Sequence, residues 1–205
     1  MERKSDTYQT IENESQGLYK EKGSKFISLA FPVRTEEEVK EILLELRKAY
    51  HDARHHCYAY VLGFEGENWR ANDDGEPSST AGKPIYGQIL SRGLTNTLVV
   101  VIRYFGGTKL GVSGLINAYK LAASDALNNA TIVTLTVKNI YTIGFAYQMM
   151  NDIMKMIKDE DLSIINQHFG TSCTITIGVR QSKADLILER IDKIDSAVAE
   201  FVSTE

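Results

Sequence analysis

The sequence predicts an α+β protein of two unequal domains, and three observations predict it. Its 205 residues suit two modest cores better than one small one. The run Thr97 to Tyr104, TLVVVIRY, is too continuously apolar for a half-exposed strand and belongs at the centre of a sheet covered on both faces. Near Thr131 the texture changes, and short strand and helix patterns alternate to the end of the chain.

Tyr8 to Ile11 and Gly17 to Val33 have β character, and Lys25 to Phe31 is a β-rich run that Pro32 ends. Thr35-Glu36-Glu37-Glu38 is a capping box whose carboxylates suit the positive end of a helix dipole. Behind it Val39, Ile42, Leu43, Leu46 and Tyr50 recur at helical spacing, so a helix with one buried stripe runs from about 35 to 50. Cys57 to Leu62 is the next strand, and residues 66–79, GENWRANDDGEPSS, read as a polar loop. A short helix from about Thr80 to Arg92 follows, with Thr80 placed to cap it and Gly93 as a left-handed C-cap. After the central strand, a glycine-rich turn from Phe105 to Gly114 leads into a helix from about Leu115 to Asn128.

The second part reads as strand (137–147), helix (148–158), strand (162–169), a tight turn at Gly170, strand (172–179), helix (182–194) and strand (197–203). That β-α-β-β-α-β order is the ferredoxin-like pattern. Met149, Met150, Ile153, Met154 and Ile157 form the apolar stripe of its first helix; helical spacing favours core over a docking face. The boundary falls near residues 131–136, dividing the chain into 1–132 and 133–205.

No stretch approaches the ~20 apolar residues of a membrane span, and MERKSDTYQT lacks the apolar core of a secretory signal. A cytoplasmic protein with no membrane association is the expectation. Cys57 and Cys173 form no C-x-x-C pair and read as small apolar strand residues. Net charge is −4, yet no Asp or Glu occurs from Pro77 to Ser124, where an even spread would place roughly six. That window carries Lys83, Arg92, Arg103, Lys109 and Lys120. A basic field on an acidic chain favours one anionic partner surface.

Three motifs lie in or near it. FGGTKLGVSG joins the central strand to a helix, where free N–H groups and the helix dipole favour an anion and Lys109 adds a cation. A tight connection needing glycine for packing alone is the competing reading. NDDGEPSSTAGKP is neither a Walker A loop nor an EF-hand, and its carboxylates read as a solvated turn or a divalent-ion site. In HDARHHC the histidines fit no zinc spacing; one of them is either satisfied at a strand entry or an acid–base partner of Asp73 or Asp74. G-x-S-x-G and H-E-x-x-H are absent, and no catalytic constellation is recognised.

The segments ARHHCYAYVLG, NDDGEPSSTAGKPI, LVVVIRYFGGTKLGVSGL and NAYKLAASDAL stand in the order and spacing of the YigZ/IMPACT family, which the chain resembles over about residues 17–130. The resemblance implies a first domain folded like the second domain of ribosomal protein S-five. It also implies a second, ferredoxin-like domain similar to those of elongation factor G. Eukaryotic relatives act in translational control by binding a regulator of a stress-activated kinase. The family pattern falls on Arg54, His55, Cys57, Asp73, Asp74, Gly75, Glu76, Pro77, Thr80, Ala81, Gly82, Arg103, Tyr104, Phe105, Gly106, Gly107, Leu110 and Gly111. Ser79 departs from it where glycine is usual, Ser113 stands in a normally glycine-rich place, and Asn117 replaces a frequent arginine.

The leading expectation is a protein that binds RNA or the ribosome in a translation-related regulatory role. Lys83, Arg92, Arg103 and Lys109 would meet phosphates, while Gly106, Gly107 and Gly111 let the backbone approach. Tyr104 and Phe105 either stack on bases or pack in the core. Arg54, His55, Asp73, Asp74, Gly75, Glu76 and Thr80 form a motif site that the resemblance implies. One alternative is an enzyme acting on a phosphorylated or nucleotide substrate, with Asp73, Asp74 or Glu76 as base or metal ligand. Another is a protein-docking module for a translation regulator. Neither a cofactor nor a metal is expected.

Overall fold

A computed structural model describes residues 6–170 and 172–205. The chain divides into two compact units, one of Tyr8–Leu135 and one of Thr136–Glu205 together with Asp6 and Thr7. The architecture is α+β with antiparallel sheets.

The first unit runs β1 (Thr7–Ile11), β2 (Ser15–Glu21), β3 (Ser24–Pro32), α1 (Glu36–Ala49), β4 (His55–Leu62), β5 (Asn68–Asn72), α2 (Gly82–Ser91), β6 (Thr97–Tyr104), α3 (Gly111–Asn128) and β7 (Ile132–Thr136). Five strands form an antiparallel sheet in the order β2-β3-β6-β4-β5, and β1 pairs with β7. Strand β6 is central, and its two faces serve two cores. Leu98, Val100 and Ile102 pack with α1 residues such as Val39 and Leu46, whereas Val99 and Val101 pack under α2 and α3. Strand alternation then sends Arg103 to the α2–α3 side and Tyr104 to the α1 side. This parity decides the site.

Helix α1 starts in a variant of the expected capping box: Thr35 Oγ1 accepts from Glu38 N at 3.2 Å, while Glu38 accepts from Arg34 N, one residue before the N-cap, at 2.6 Å. Helix α3 lies close on the sheet because its inner face is small, with Ala118, Ala122, Ala123 and Ala126 fully buried. Gly17 of β2 is required there, since a Cβ would stand 2.4 Å from Ala126 N.

Three boundaries differ from the sequence expectation. Residues 66–79 are not all loop: β5 pairs with β4 at the sheet edge, and Trp69 stacks on Tyr86 with ring centroids 4.5 Å apart. Its sequence NWRAN is polar because an edge strand has one wet side. Helix α2 begins at Gly82 rather than Thr80, whose hydroxyl instead donates to Pro77 O at 2.6 Å. Helix α3 begins at Gly111, inside the glycine-rich segment, four residues before the expected Leu115.

The second unit runs β8 (Lys138–Phe145), α4 (Met150–Asp159), β9 (Ser163–Phe169), β10 (Cys173–Arg180), α5 (Ala184–Ile191) and β11 (Val198–Thr204). Its sheet order, β11-β8-β10-β9, with antiparallel pairing throughout, is the ferredoxin-like topology. Ile153, Met156 and Ile157 of α4 are buried, while Met154, expected in the stripe, is exposed. Thr171, beside the expected Gly170 turn, lies outside the described residues. Asp6 is tied to this unit by two bonds from Arg180, at 2.7 and 2.8 Å, which hold its carboxyl well below the usual carboxylate range.

Candidate functional site

The loop between β5 and α2 carries three carboxylates, and each has a different task. Asp73 caps α2: Oδ1 accepts from Ala81 N at 3.0 Å and Gly82 N at 2.8 Å, and Oδ2 from Ser79 N at 2.8 Å. Ala81 N and Gly82 N are orphan donors at the helix start, so the carboxylate does the work expected of Thr80. Ser79, the departure from the family glycine, has φ of +63°, a conformation that favours glycine.

Asp74 binds outward and inward at once. Oδ1 accepts from Arg47 Nη2 at 2.7 Å and Oδ2 from His56 N at 2.6 Å. Burial pushes its pKa up, but these two donors outweigh that and hold the carboxyl below its ordinary 3.8. Burial, with Arg47 nearby, pushes His56 below 6.5, and its buried Nε2 has no hydrogen-bond partner among the described residues. Stability is therefore expected to fall as pH drops through 6.5, where the unfolded imidazole takes a proton that folded His56 resists. It falls further below about 3.8, as the unfolded Asp74 carboxyl protonates ahead of the folded one. Urea midpoints measured from pH 7.5 to 3 by the fluorescence of Trp69, the single tryptophan, check this. Asp74→Asn removes its share of the lower limb, and a flat profile down to pH 5 contradicts the His56 assignment.

Glu76 turns inward, its side chain 4% exposed. Oε1 accepts from Arg103 Nη1 at 2.5 Å and from the Tyr119 hydroxyl at 2.8 Å. Cys57 Sγ lies 3.3 Å from that hydroxyl and 3.0 Å from Asp73 O. Burial pushes both the Cys57 thiol and the Tyr119 phenol far up, so both stay protonated and neutral. His55 Nδ1 lies 2.8 Å from Asp74 O. A carbonyl only accepts, so Nδ1 carries a hydrogen, and Nε2 lies 4.0 Å from Glu76 Oε1. Arg103, 6% exposed, lies between two rings, with Cζ 5.4 Å from the Phe26 centroid and 5.7 Å from that of Phe105.

Above this network opens a cavity of about 470 Å³. Its floor is His55, Glu76 and Arg103; Leu110, Val112 and Leu115 form an apolar wall, and the exposed side chains of Arg54, Phe105 and Lys109 complete it. Helix α3 starts at this wall, and no side chain among the described residues caps it.

The structure thus brings Arg54, His55, Glu76, Arg103, Phe105, Lys109 and Gly111 together and sends the other expected residues elsewhere. Arg92 sits at the far end of α2, where its guanidinium donates to Gln88, Ser124 and Asn128 and ties α2 to α3. Lys83 is exposed but does not line the cavity. Tyr104 packs on the α1 side and donates to Asp52 at 2.7 Å, so it forms no joint platform with Phe105. Asp73, Asp74, Gly75 and Thr80 shape the loop rather than line the cavity. Gly106 is glycine for packing, since a Cβ would stand 1.9 Å from Gly23 C, whereas Gly107 has φ of +87° in open space. Tyr119 escaped the sequence reading. Its signal is a lone aromatic residue on the alanine-rich inner face of α3.

Residues 22–127 match the Impact N-terminal domain, just over half of the chain. IMPACT family member YvyE of Bacillus subtilis is 31% identical over 182 residues, 89% of this chain and 84% of that protein. IMPACT family member YigZ of Escherichia coli is 32% identical over 164 residues, 79% of this chain and 80% of that protein. A crystal structure of a hypothetical protein, 27% identical, covers 97% of this chain and 98% of that one with a TM-score of 0.75. Among the described residues no helix is long and apolar enough to cross a membrane. With the family domain spanning the cavity and the relatives spanning most of the chain, this protein belongs to the IMPACT family.

Proposed function

We propose that the protein binds RNA, free or on the ribosome, through the cavity of the first unit, in a translation-related role. The observation that carries this reading is the arrangement around Phe105: an exposed aromatic ring beside three cations at the uncapped start of a long helix. Bases stack on such a ring at about 1–3 kcal/mol each, and phosphates are drawn to the cations and to the helix N–H groups. With Arg54 and Lys109 each neutralising one single-strand phosphate, log K falls with log salt at a slope of about −1.4. Arg54→Ala with Lys109→Ala removes most of that slope. Fluorescence anisotropy with a labelled oligoribonucleotide at four salt concentrations checks both. Salt-independent binding, or a slope unmoved by the double variant, defeats the reading.

One observation favours an enzyme acting on a nucleotide or phosphorylated substrate instead. His55 has its tautomer set by Asp74 O and its Nε2 facing Glu76 at the cavity floor, which is the orientation of a general base. Turnover of a nucleoside phosphate that is lost in His55→Gln while RNA binding persists selects this second reading.

A further inference from the structure

Arg103 has an unused edge. Nη1 is taken by Glu76, and Phe26 and Phe105 hold the plane of the guanidinium. Among the described residues the side-on edge, formed by Nε and Nη2, has no hydrogen-bond partner, and Nε is buried. A buried N–H without an acceptor is costly, and pairing with a ligand oxygen relieves it. Two parallel donors in one plane match two oxygens of a single phosphate. Three cations line this cavity against one carboxylate, and the uncapped start of α3 adds to the positive field.

We propose that this edge is the floor of a recessed subsite for a terminal phosphate monoester, so that the protein reads an RNA end rather than the interior of a strand. The proposal rests on the RNA reading above and sharpens it. Depth carries the distinction. Arg103 is 6% exposed at the base of a cavity of about 470 Å³. A phosphodiester within a strand carries a sugar on each side and cannot bring two oxygens onto a guanidinium so recessed. A terminal phosphate has one tether, three free oxygens and a charge of about −1.5 to −2. Phe105 at the cavity wall then offers its ring to the terminal base.

The test compares one oligoribonucleotide with a 5′-phosphate, a 3′-phosphate or hydroxyls at both ends, and inorganic phosphate alone. The expected result is at least tenfold tighter binding of one phosphorylated end than of the hydroxyl form, lost in Arg103→Lys, which keeps the charge but not the fork. In the unaltered protein, the Arg103 Nε–H resonance shifts on adding inorganic phosphate, so the proposal stands or falls even if the variant does not fold. Equal binding of all three oligonucleotides overturns end-reading and leaves RNA binding intact. If no oligonucleotide binds, the RNA reading fails; a phosphate-induced shift at Arg103 Nε–H then still supports the phosphate subsite, and its absence overturns that too.

Discussion

Glu76→Ala is expected to destabilise the first unit by about 3–5 kcal/mol, since it strands the largely buried Arg103 charge and removes the acceptor of Tyr119. The size follows from the asymmetry of buried ion pairs: forming one gains little, whereas leaving half of one is expensive. Glu76→Leu combined with Arg103→Met should therefore recover more than half of the loss, because both charges leave the interior together. Urea unfolding followed by Trp69 measures this, and that residue reports on the first unit alone. The four-corner cycle gives the coupling energy of the pair. Simple additivity of the single variants would show that the 2.5 Å contact does not hold the two groups together energetically.

Asp73→Ala is expected to cost about 2–4 kcal/mol. The side chain accepts three backbone N–H groups, two of them at the start of α2, and bonds to a charged acceptor are the strong ones. Asp73→Asn keeps one acceptor oxygen and with it the bonds to Ala81 and Gly82, so it should cost roughly half as much. Hydrogen exchange separates local from global loss: protection falls first at Ser79, Ala81 and Gly82 in the alanine variant. Unchanged protection there would remove Asp73 from its capping role.

Much of the sheet was legible along the chain because strand burial leaves a local trace. TLVVVIRY is apolar at every position from Leu98 to Ile102, and the structure covers it on both faces. The ferredoxin-like order followed in the same way, from strand and helix periods within short windows. Strand β5 left no such trace, since its pairing lies on β4 and its one aromatic contact, Trp69 on Tyr86, spans the chain between them.

The cluster of cations between Lys83 and Lys109 shows the limit of linear reading most directly. Counting acids along the chain finds a window with none, which reads as a row of free cations. Folding supplies what the window lacks: Glu76, one residue before it, swings in to Arg103, and the neutral oxygens of Gln88, Ser124 and Asn128 occupy Arg92. Composition and periodicity thus established two α+β units, the central strand and a basic region around a glycine-rich turn. Which of those cations remain open to a ligand was settled by contacts between residues 27 and more positions apart, because electrostatic partners are chosen by distance in space and not along the chain.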